Sequence, residues 1–211
     1  MSDYQHWPTS KYYDGGYPKR HYKKFVPLKD EEGNIPAPEY LHYENDTQSN
    51  LDKALHRLIE GDATVILLGP RGTGKTQAAV QLAYQLELHQ KKLSQHGTHY
   101  YTQLGQLFEE EKQSWKIGPQ KDALNTRIPS PVERSKKAQL LVLDELQECS
   151  NSDWERQSLT RLIDSRYQNE MNTILVGNLT VDALGEFLSK SVTSRLKETG
   201  YIIEMTQKKY R

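Results

Sequence analysis

The sequence predicts an α/β fold in three layers, with a parallel five-stranded sheet covered by helices on both faces. Short apolar runs bounded by turn residues indicate buried strands at residues 63–68, 139–144 and 172–177. Segments with helical spacing lie between these runs, and strands that alternate with helices favour a parallel sheet. Weaker strand patterns at residues 98–102 and 201–205 bring the predicted strands to five.

The predicted helices are marked by apolar residues that recur every three or four positions. Between them, residues 116–131 contain one glycine and three prolines and form the longest loop predicted in the core. The helical segments are residues 51–59, 75–88, 104–108, 154–163 and 181–188.

Length and composition set broad limits on the class of protein. A chain of 211 residues fits one domain and an extension, and 28 basic residues balance 28 acidic ones, so net charge indicates no partner. Cys149 is the only cysteine, which excludes an internal disulfide and suits a reducing compartment. Because neither a signal peptide nor an apolar stretch of about 18 residues is found, we expect a cytoplasmic protein without a membrane span.

Residues 1–40 differ from the rest, and we predict an extended or disordered arm followed by a folded domain at residues 41–211. The arm holds six tyrosines, several prolines and no helical apolar period. Within it, residues 11–24 combine five basic residues with four tyrosines. Basic side chains can contact a phosphate backbone and tyrosine rings can stack on unpaired bases, so this segment could bind nucleic acid. The alternatives are an arm that docks on a protein partner and a solvated arm without either role.

A phosphate-binding loop is the most specific motif in the chain. The segment GPRGTGKT at residues 69–76 matches G-x-x-x-x-G-K-[ST] between a predicted strand and a predicted helix. Glycines there allow backbone N–H groups to surround phosphates, and the helix N-terminus favours an anion. In such a loop Lys75 reaches the β- and γ-phosphates and Thr76 supplies an oxygen to Mg²⁺. The predicted nucleotide-binding residues are Gly69, Pro70, Arg71, Gly72, Thr73, Gly74, Lys75 and Thr76, of which Arg71 and Thr73 have no separate role.

Three polar residues follow two of the predicted strands and indicate hydrolysis. Asp144 and Glu145 end an apolar strand, and paired carboxylates are too costly inside a sheet, so they must lie at its carboxyl end, where ligands bind. We predict that Asp144 holds Mg²⁺ and that Glu145 polarises the attacking water. Asn178 follows the strand 172–177 and can orient that water. Alternatively, the acids cap the next helix and Asn178 is an ordinary turn residue.

Together these residues resemble the DnaC/IstB family of AAA+ ATPases, which comprises bacterial and phage helicase loaders and transposition helpers. The resemblance covers residues 45–211, and the order of its last three segments makes it more specific than the phosphate loop alone. The five segments are GPRGTGKT, KAQLLVLDEL at residues 137–146, LIDSRY at 162–167, TILVGNL at 173–179 and LSKSVTSRL at 188–196.

The resemblance implies an AAA+ core that binds and hydrolyses Mg-ATP, with further roles for three residues. Asn178 matches the sensor-1 asparagine, Arg195 the arginine finger that completes a neighbouring subunit's site, and Arg211 the sensor-2 arginine. A fixed guanidinium can neutralise charge that develops on the γ-phosphate. Tyr100 and Tyr101 lie where the family carries its single-strand contacts, although either can equally be a core residue.

The implied partners are a replicative DNA helicase, single-stranded DNA and further copies of the chain on ATP binding. The arm resembles neither a zinc-binding nor a helicase-docking domain, so it does not identify the partner. Two alternatives therefore stay open: a transposition helper that acts with a transposase, and an adaptor that uses ATP as a switch and hydrolyses little of it.

Overall fold

A computed structural model describes most of the predicted domain and a short part of the arm. The described residues are 16–22, 43, 45–93, 98–122, 125–148, 150, 152–188 and 190–206. In chain order the helices and strands are α1 (Lys19–Tyr22), α2 (Asn45–Glu60), β1 (Thr64–Leu68), α3 (Lys75–Lys92), β2 (His99–Gln103), α4 (Leu104–Ile117), α5 (Pro131–Lys137), β3 (Leu140–Asp144), α6 (Asp153–Gln168), β4 (Asn172–Gly177), α7 (Val181–Phe187), α8 (Lys190–Thr199) and β5 (Gly200–Glu204). A single 3₁₀ turn, Leu146–Glu148, follows β3.

The five strands form one parallel sheet in the order β2-β3-β4-β1-β5. Val65 of β1 lies opposite Ile174 of β4 on one side and Tyr201 of β5 on the other. Since all the strands run the same way, the carboxyl ends of β1, β3 and β4 meet at one edge of the sheet. The predicted α/β fold with five parallel strands is confirmed.

Side chains alternate between the two faces of the sheet, and each face is covered by helices. Val65 and Leu67 point into a core shared with α2 and α3, whereas Ile66 and Leu68 point into a second core with α4, α6, α7 and α8. A strand buried on both faces has no polar side, which explains why the central strands are continuous apolar runs. Among the described residues, none of the helices combines the length and apolar character needed to cross a bilayer.

Three of the described helices, α1, α5 and α8, were not predicted from the apolar pattern. α5 has only seven residues, too few to show a helical period, but its start carries a local signal. Ser130 accepts a hydrogen bond from the Glu133 backbone, Glu133 bonds back to the Ser130 backbone, and Pro131 occupies the first turn. This capping box is readable in the sequence and could have identified α5.

The N-terminal segment of residues 16–22, the part of the predicted arm that the structure describes, packs on the domain. The ring of Tyr17 is 4% exposed and lies 5.4 Å from the ring of Tyr101 between centroids. A short segment that is held by one buried ring and a few polar contacts has no periodic pattern, so the sequence does not reveal its packing. The rest of the arm lies outside the described residues, and the boundary after residue 40 stays a prediction.

A fully buried arginine connects α5, α6 and β4. Arg166 of α6 donates hydrogen bonds to the carbonyls of Ser135 (2.6 Å) and Ala138 (2.7 Å) at the end of α5, to the carbonyl of Asn172 and to the Thr173 hydroxyl (2.9 Å). Burial lowers the pKa of the guanidinium to about 9, so it remains charged at neutral pH. Carbonyls at a helix C-terminus favour a cation, which explains how this charge is tolerated inside the fold.

Replacing Arg166 with methionine is expected to lower the free energy of unfolding by about 3 kcal/mol, since several buried acceptors lose their donor. Urea unfolding followed by circular dichroism measures the change. Arg161→Met, on the exposed face of the same helix, is the matched control and should change stability by less than about 0.5 kcal/mol. Equal stability of the two variants would contradict this structural role of Arg166.

Candidate functional site

The carboxyl edge of the sheet borders a cavity of about 550 Å³. The cavity lies between the predicted phosphate-binding loop, the first turn of α3, the ends of β3 and β4, and α1. Ligand sites in open parallel sheets lie at this edge. The residues that line the cavity are Arg20, His21, Arg71, Gly72, Gly74, Lys75, Thr76, Gln77, Asp144, Glu145, Gln147, Gly177 and Asn178.

Glycines shape the predicted phosphate loop. Gly69 has φ 136°, and a Cβ atom there would lie 2.2 Å from the carbonyl oxygen of Met205. Gly74 has φ 86°, a left-handed conformation that other residues adopt only with strain. α3 begins directly afterwards, so the positive end of its dipole lies at the loop. This arrangement suits an anion such as a phosphate group.

The Lys75 ammonium is buried under the loop, where it donates a hydrogen bond to the carbonyl of Pro70 (2.6 Å) and lies 3.5 Å from the hydroxyl of Thr73. Burial lowers the pKa of Lys75, while the nearby Asp144 carboxylate favours its charged form. A phosphate in the cavity would favour the charged form for the same reason. Pro70 and Thr73 hold the loop together, since the Thr73 hydroxyl donates to the Pro70 carbonyl at 3.0 Å.

The Thr76 hydroxyl donates to the Asp144 carboxylate at 2.8 Å, so the structure brings the two predicted metal-binding residues together. Asp144 is 3% exposed and is held by two further donors, the hydroxyl of Tyr101 (2.6 Å) and the backbone N–H of Glu145 (2.8 Å). Hydroxyl and carboxylate oxygens are ligands that Mg²⁺ accepts. The chemistry of these two side chains therefore fits a magnesium ion, which Thr76 and Asp144 would hold.

Glu145 lies at a sharp bend between β3 and the 3₁₀ turn. Its φ of 54° is unusual for a residue with a side chain and costs about 1 kcal/mol or more. Burial raises the pKa of Glu145, and the negative charges of Asp144 and Glu148 raise it further. A carboxylate with a raised pKa is a stronger base, which suits the predicted activation of water.

Asn178 and Gln147 line the cavity beyond the ends of β4 and β3. The backbone N–H of Asn178 donates to the Gln147 side chain at 2.9 Å, and both residues line the cavity. Asn178 was predicted from its place after β4, whereas Gln147 belongs to no motif. Gln147 is a cavity residue that the sequence analysis missed.

Comparison with known proteins identifies the family. A family model described as "IstB-like ATP binding protein" matches residues 40–211. The chain belongs to this family. Membership confirms the resemblance to DnaC/IstB proteins found in the sequence. No curated protein sequence matches the chain.

Solved structures show the same fold as this IstB-like domain. The DnaC helicase loader aligns with a TM-score of 0.63 and 20% identity over 79% of this chain and 94% of the other. DnaI aligns with a TM-score of 0.61 and 17% identity over 81% and 88%. AMPPCP-bound DnaA from Aquifex aeolicus aligns with a TM-score of 0.58 and 21% identity, and the match spans 79% of this chain but 48% of DnaA.

Arg195 lies away from the cavity of its own IstB-like domain. It is on α8, where it forms an ion pair with Asp164 of α6 at 2.9 Å, and its guanidinium carbon is 5.4 Å from the centre of the Tyr167 ring. One chain therefore does not bring the predicted finger to its own site, and its action on a neighbour stays a prediction. Arg211, the predicted sensor-2 residue, lies outside the described residues. Arg71 borders the cavity and pairs with Glu148 at 2.8 Å.

Four further residues at the site were not predicted from the sequence. Tyr101 holds the Asp144 carboxylate, and Arg20, His21 and Gln77 line the cavity. Gln77 directly follows the phosphate-loop motif, but the pattern itself ends at Thr76. Tyr101 lies on β2, and Arg20 and His21 lie on α1. Both elements are distant from the phosphate-loop motif along the chain and approach it only in the folded domain.

Proposed function

We propose that the protein is a Mg²⁺-dependent ATPase of the AAA+ type that loads a replicative DNA helicase. The main support for ATP hydrolysis is the 2.8 Å hydrogen bond between Thr76 and Asp144. Both residues line one cavity with Lys75 and Glu145. The similarity of the fold to the DnaC helicase loader and to DnaI supports the loader part.

Each residue has a distinct task in this proposal. Lys75 binds the β- and γ-phosphates, while Thr76 and Asp144 hold the metal ion. When bound, Mg²⁺ neutralises charge on the phosphate oxygens. Glu145 accepts a proton from the attacking water, and Asn178 orients that water.

The active form in this proposal is a homo-oligomer that assembles on ATP binding in the cytoplasm and contacts single-stranded DNA. Arg195 does not line its own cavity, and this placement is consistent with a finger that acts on a neighbouring site of an oligomer. A structure of DnaA bound to AMPPCP and single-stranded DNA shares the fold, with a TM-score of 0.59 and 20% identity, over 80% of this chain and 49% of that one.

A transposition helper is the second candidate, and the match to an IstB-like family favours it. Both candidates use the same nucleotide site, so the site does not distinguish them. They differ in the protein that the ATP-bound form recognises, which is a helicase in one case and a transposase in the other.

Capture of partners in the presence of Mg-ATP separates the two candidates. Immobilised Glu145→Gln protein, which should keep ATP bound, is expected to enrich the replicative helicase of the source cell at least about 10-fold over Lys75→Ala, which should bind no ATP. Mass spectrometry identifies the captured proteins. Enrichment of a transposase would replace the loader role with that of a transposition helper, and enrichment of neither would reject both.

A further inference from the structure

The N-terminal segment of residues 16–22 is attached to both sides of the predicted metal site. On one side Tyr17 packs on Tyr101, whose hydroxyl donates to Asp144 at 2.6 Å. Gly16 lies against the same strand, since a Cβ atom there would be 2.3 Å from the Tyr101 carbonyl oxygen. The segment therefore contacts the residue that fixes the Asp144 carboxylate.

On the other side, α1 is fixed to the first turn of α3. The side chain of Gln77, 5% exposed, donates to the His21 carbonyl at 3.1 Å, and its oxygen lies 2.9 Å from Nδ1 of the His21 ring. Leaving a buried amide without partners is costly, so these two bonds favour the docked segment. Gln77 directly follows Thr76, which places α1 beside the phosphate loop.

Between these two attachments, Arg20 reaches the cavity. Its side chain is exposed, and its Nε donates to Nε2 of His21 at 3.1 Å. Arg20 lines the same cavity as Lys75, Thr76 and Glu145.

The three described cations of the cavity have different surroundings. Arg71 is paired with Glu148, and Lys75 is held under the phosphate loop. Arg20 lines the cavity from α1, and its Nε is bonded to the neighbouring His21 ring. For Glu145 to activate a water against the γ-phosphate, that phosphate must lie between Lys75 and Glu145. Arg20 lines the same cavity as both residues.

We propose that Arg20 is a further nucleotide-binding residue, which contacts the terminal phosphate of a nucleoside triphosphate bound to its own chain. The inference rests on the proposed ATP site and adds a ligand to it. A guanidinium donates several hydrogen bonds in a plane and matches phosphate oxygens better than an ammonium group does. A diphosphate lacks the terminal group, so Arg20 distinguishes the triphosphate from the diphosphate.

Calorimetric titration with Mg-AMP-PNP and with Mg-ADP tests this role. Arg20→Ala is expected to weaken Mg-AMP-PNP binding about 10-fold, which corresponds to the loss of one charge-assisted contact, and to change Mg-ADP binding less than about 2-fold. Arg20→Lys should recover part of the loss because it keeps the charge. Arg161→Ala removes an exposed arginine of α6 that does not line the cavity and should change neither affinity.

The outcomes separate this inference from the proposed function. If the wild-type protein binds both nucleotides and Lys75→Ala binds neither, the ATP site stands, whatever Arg20 does. In that case an Arg20→Ala variant that binds Mg-AMP-PNP like the wild type, or loses both nucleotides equally, overturns the role of Arg20. If the wild-type protein binds neither nucleotide, the proposed function itself fails.

Discussion

Glu145→Gln is expected to bind Mg-ATP with wild-type affinity and to hydrolyse it at least about 100-fold more slowly, since general-base catalysis contributes about 10²- to 10⁴-fold. Glutamine has the size of glutamate and can line the cavity in the same way, but it cannot take a proton from water. Phosphate release measures the turnover, and fluorescence of a labelled ATP analogue measures the binding.

Lys75→Ala serves as the opposite control for Glu145→Gln. The substitution removes the ammonium group that should contact the β- and γ-phosphates, so the binding of ATP should become too weak to measure. Hydrolysis by Glu145→Gln at the wild-type rate would show that Glu145 is not the base. A wild-type protein that binds Mg-ATP and releases almost no phosphate would instead support the adaptor that uses ATP as a switch.

Arg195→Ala is expected to bind ATP and to lose hydrolysis by about 10³-fold, if this residue acts like other arginine fingers. In the structure Arg195 pairs with Asp164 at 2.9 Å on the α6–α8 face and does not line its own cavity. Arg156→Ala is a matched control, because it removes an exposed ion pair of α6 with Asp153. That control should keep the wild-type rate, since exposed pairs contribute about 0–1 kcal/mol.

Mixing two inactive variants tests whether Arg195 serves a neighbouring subunit. In a mixture of Arg195→Ala and Glu145→Gln, an intact site takes Glu145 from the first variant and Arg195 from the second. Random assembly in equal amounts forms this arrangement at about a quarter of the interfaces, so about a quarter of the activity should return. Subunit exchange is first verified with differently tagged chains. Fully exchanged mixtures without activity would exclude a finger that acts between subunits.

Local patterns were enough to predict most of the sheet and the central residues of the cavity. β1, β3 and β4 are buried on both faces, so they appear as apolar runs whatever packs on them. Lys75 and Thr76 belong to a loop in which the order of glycines determines the backbone. Asp144 ends a buried strand, where a carboxylate has few other places to lie.

Contacts between distant segments could not be predicted in the same way. Arg166 bonds to carbonyls of α5 and β4, and a buried cation with such partners has no sequence pattern that separates it from an exposed one. α8 presents Arg195 to Asp164, but the helix itself was not predicted. The contacts of Arg166 and Arg195 depend on which helices and strands pack together, and the packing of the whole domain determines this.

The sequence by itself determined the parallel α/β fold, the phosphate loop and the acidic end of β3, because each depends on residues close together along the chain. Only the tertiary structure decided that Tyr101 holds Asp144, that Gln77 holds His21 and that Arg20 reaches the cavity. These contacts join residues more than 40 positions apart, as the Tyr101–Asp144 pair at a separation of 43 shows. Periodicity and motifs depend on residues that are close together along the chain. The long-range pairs instead depend on the order of the strands and on the packing of Tyr17.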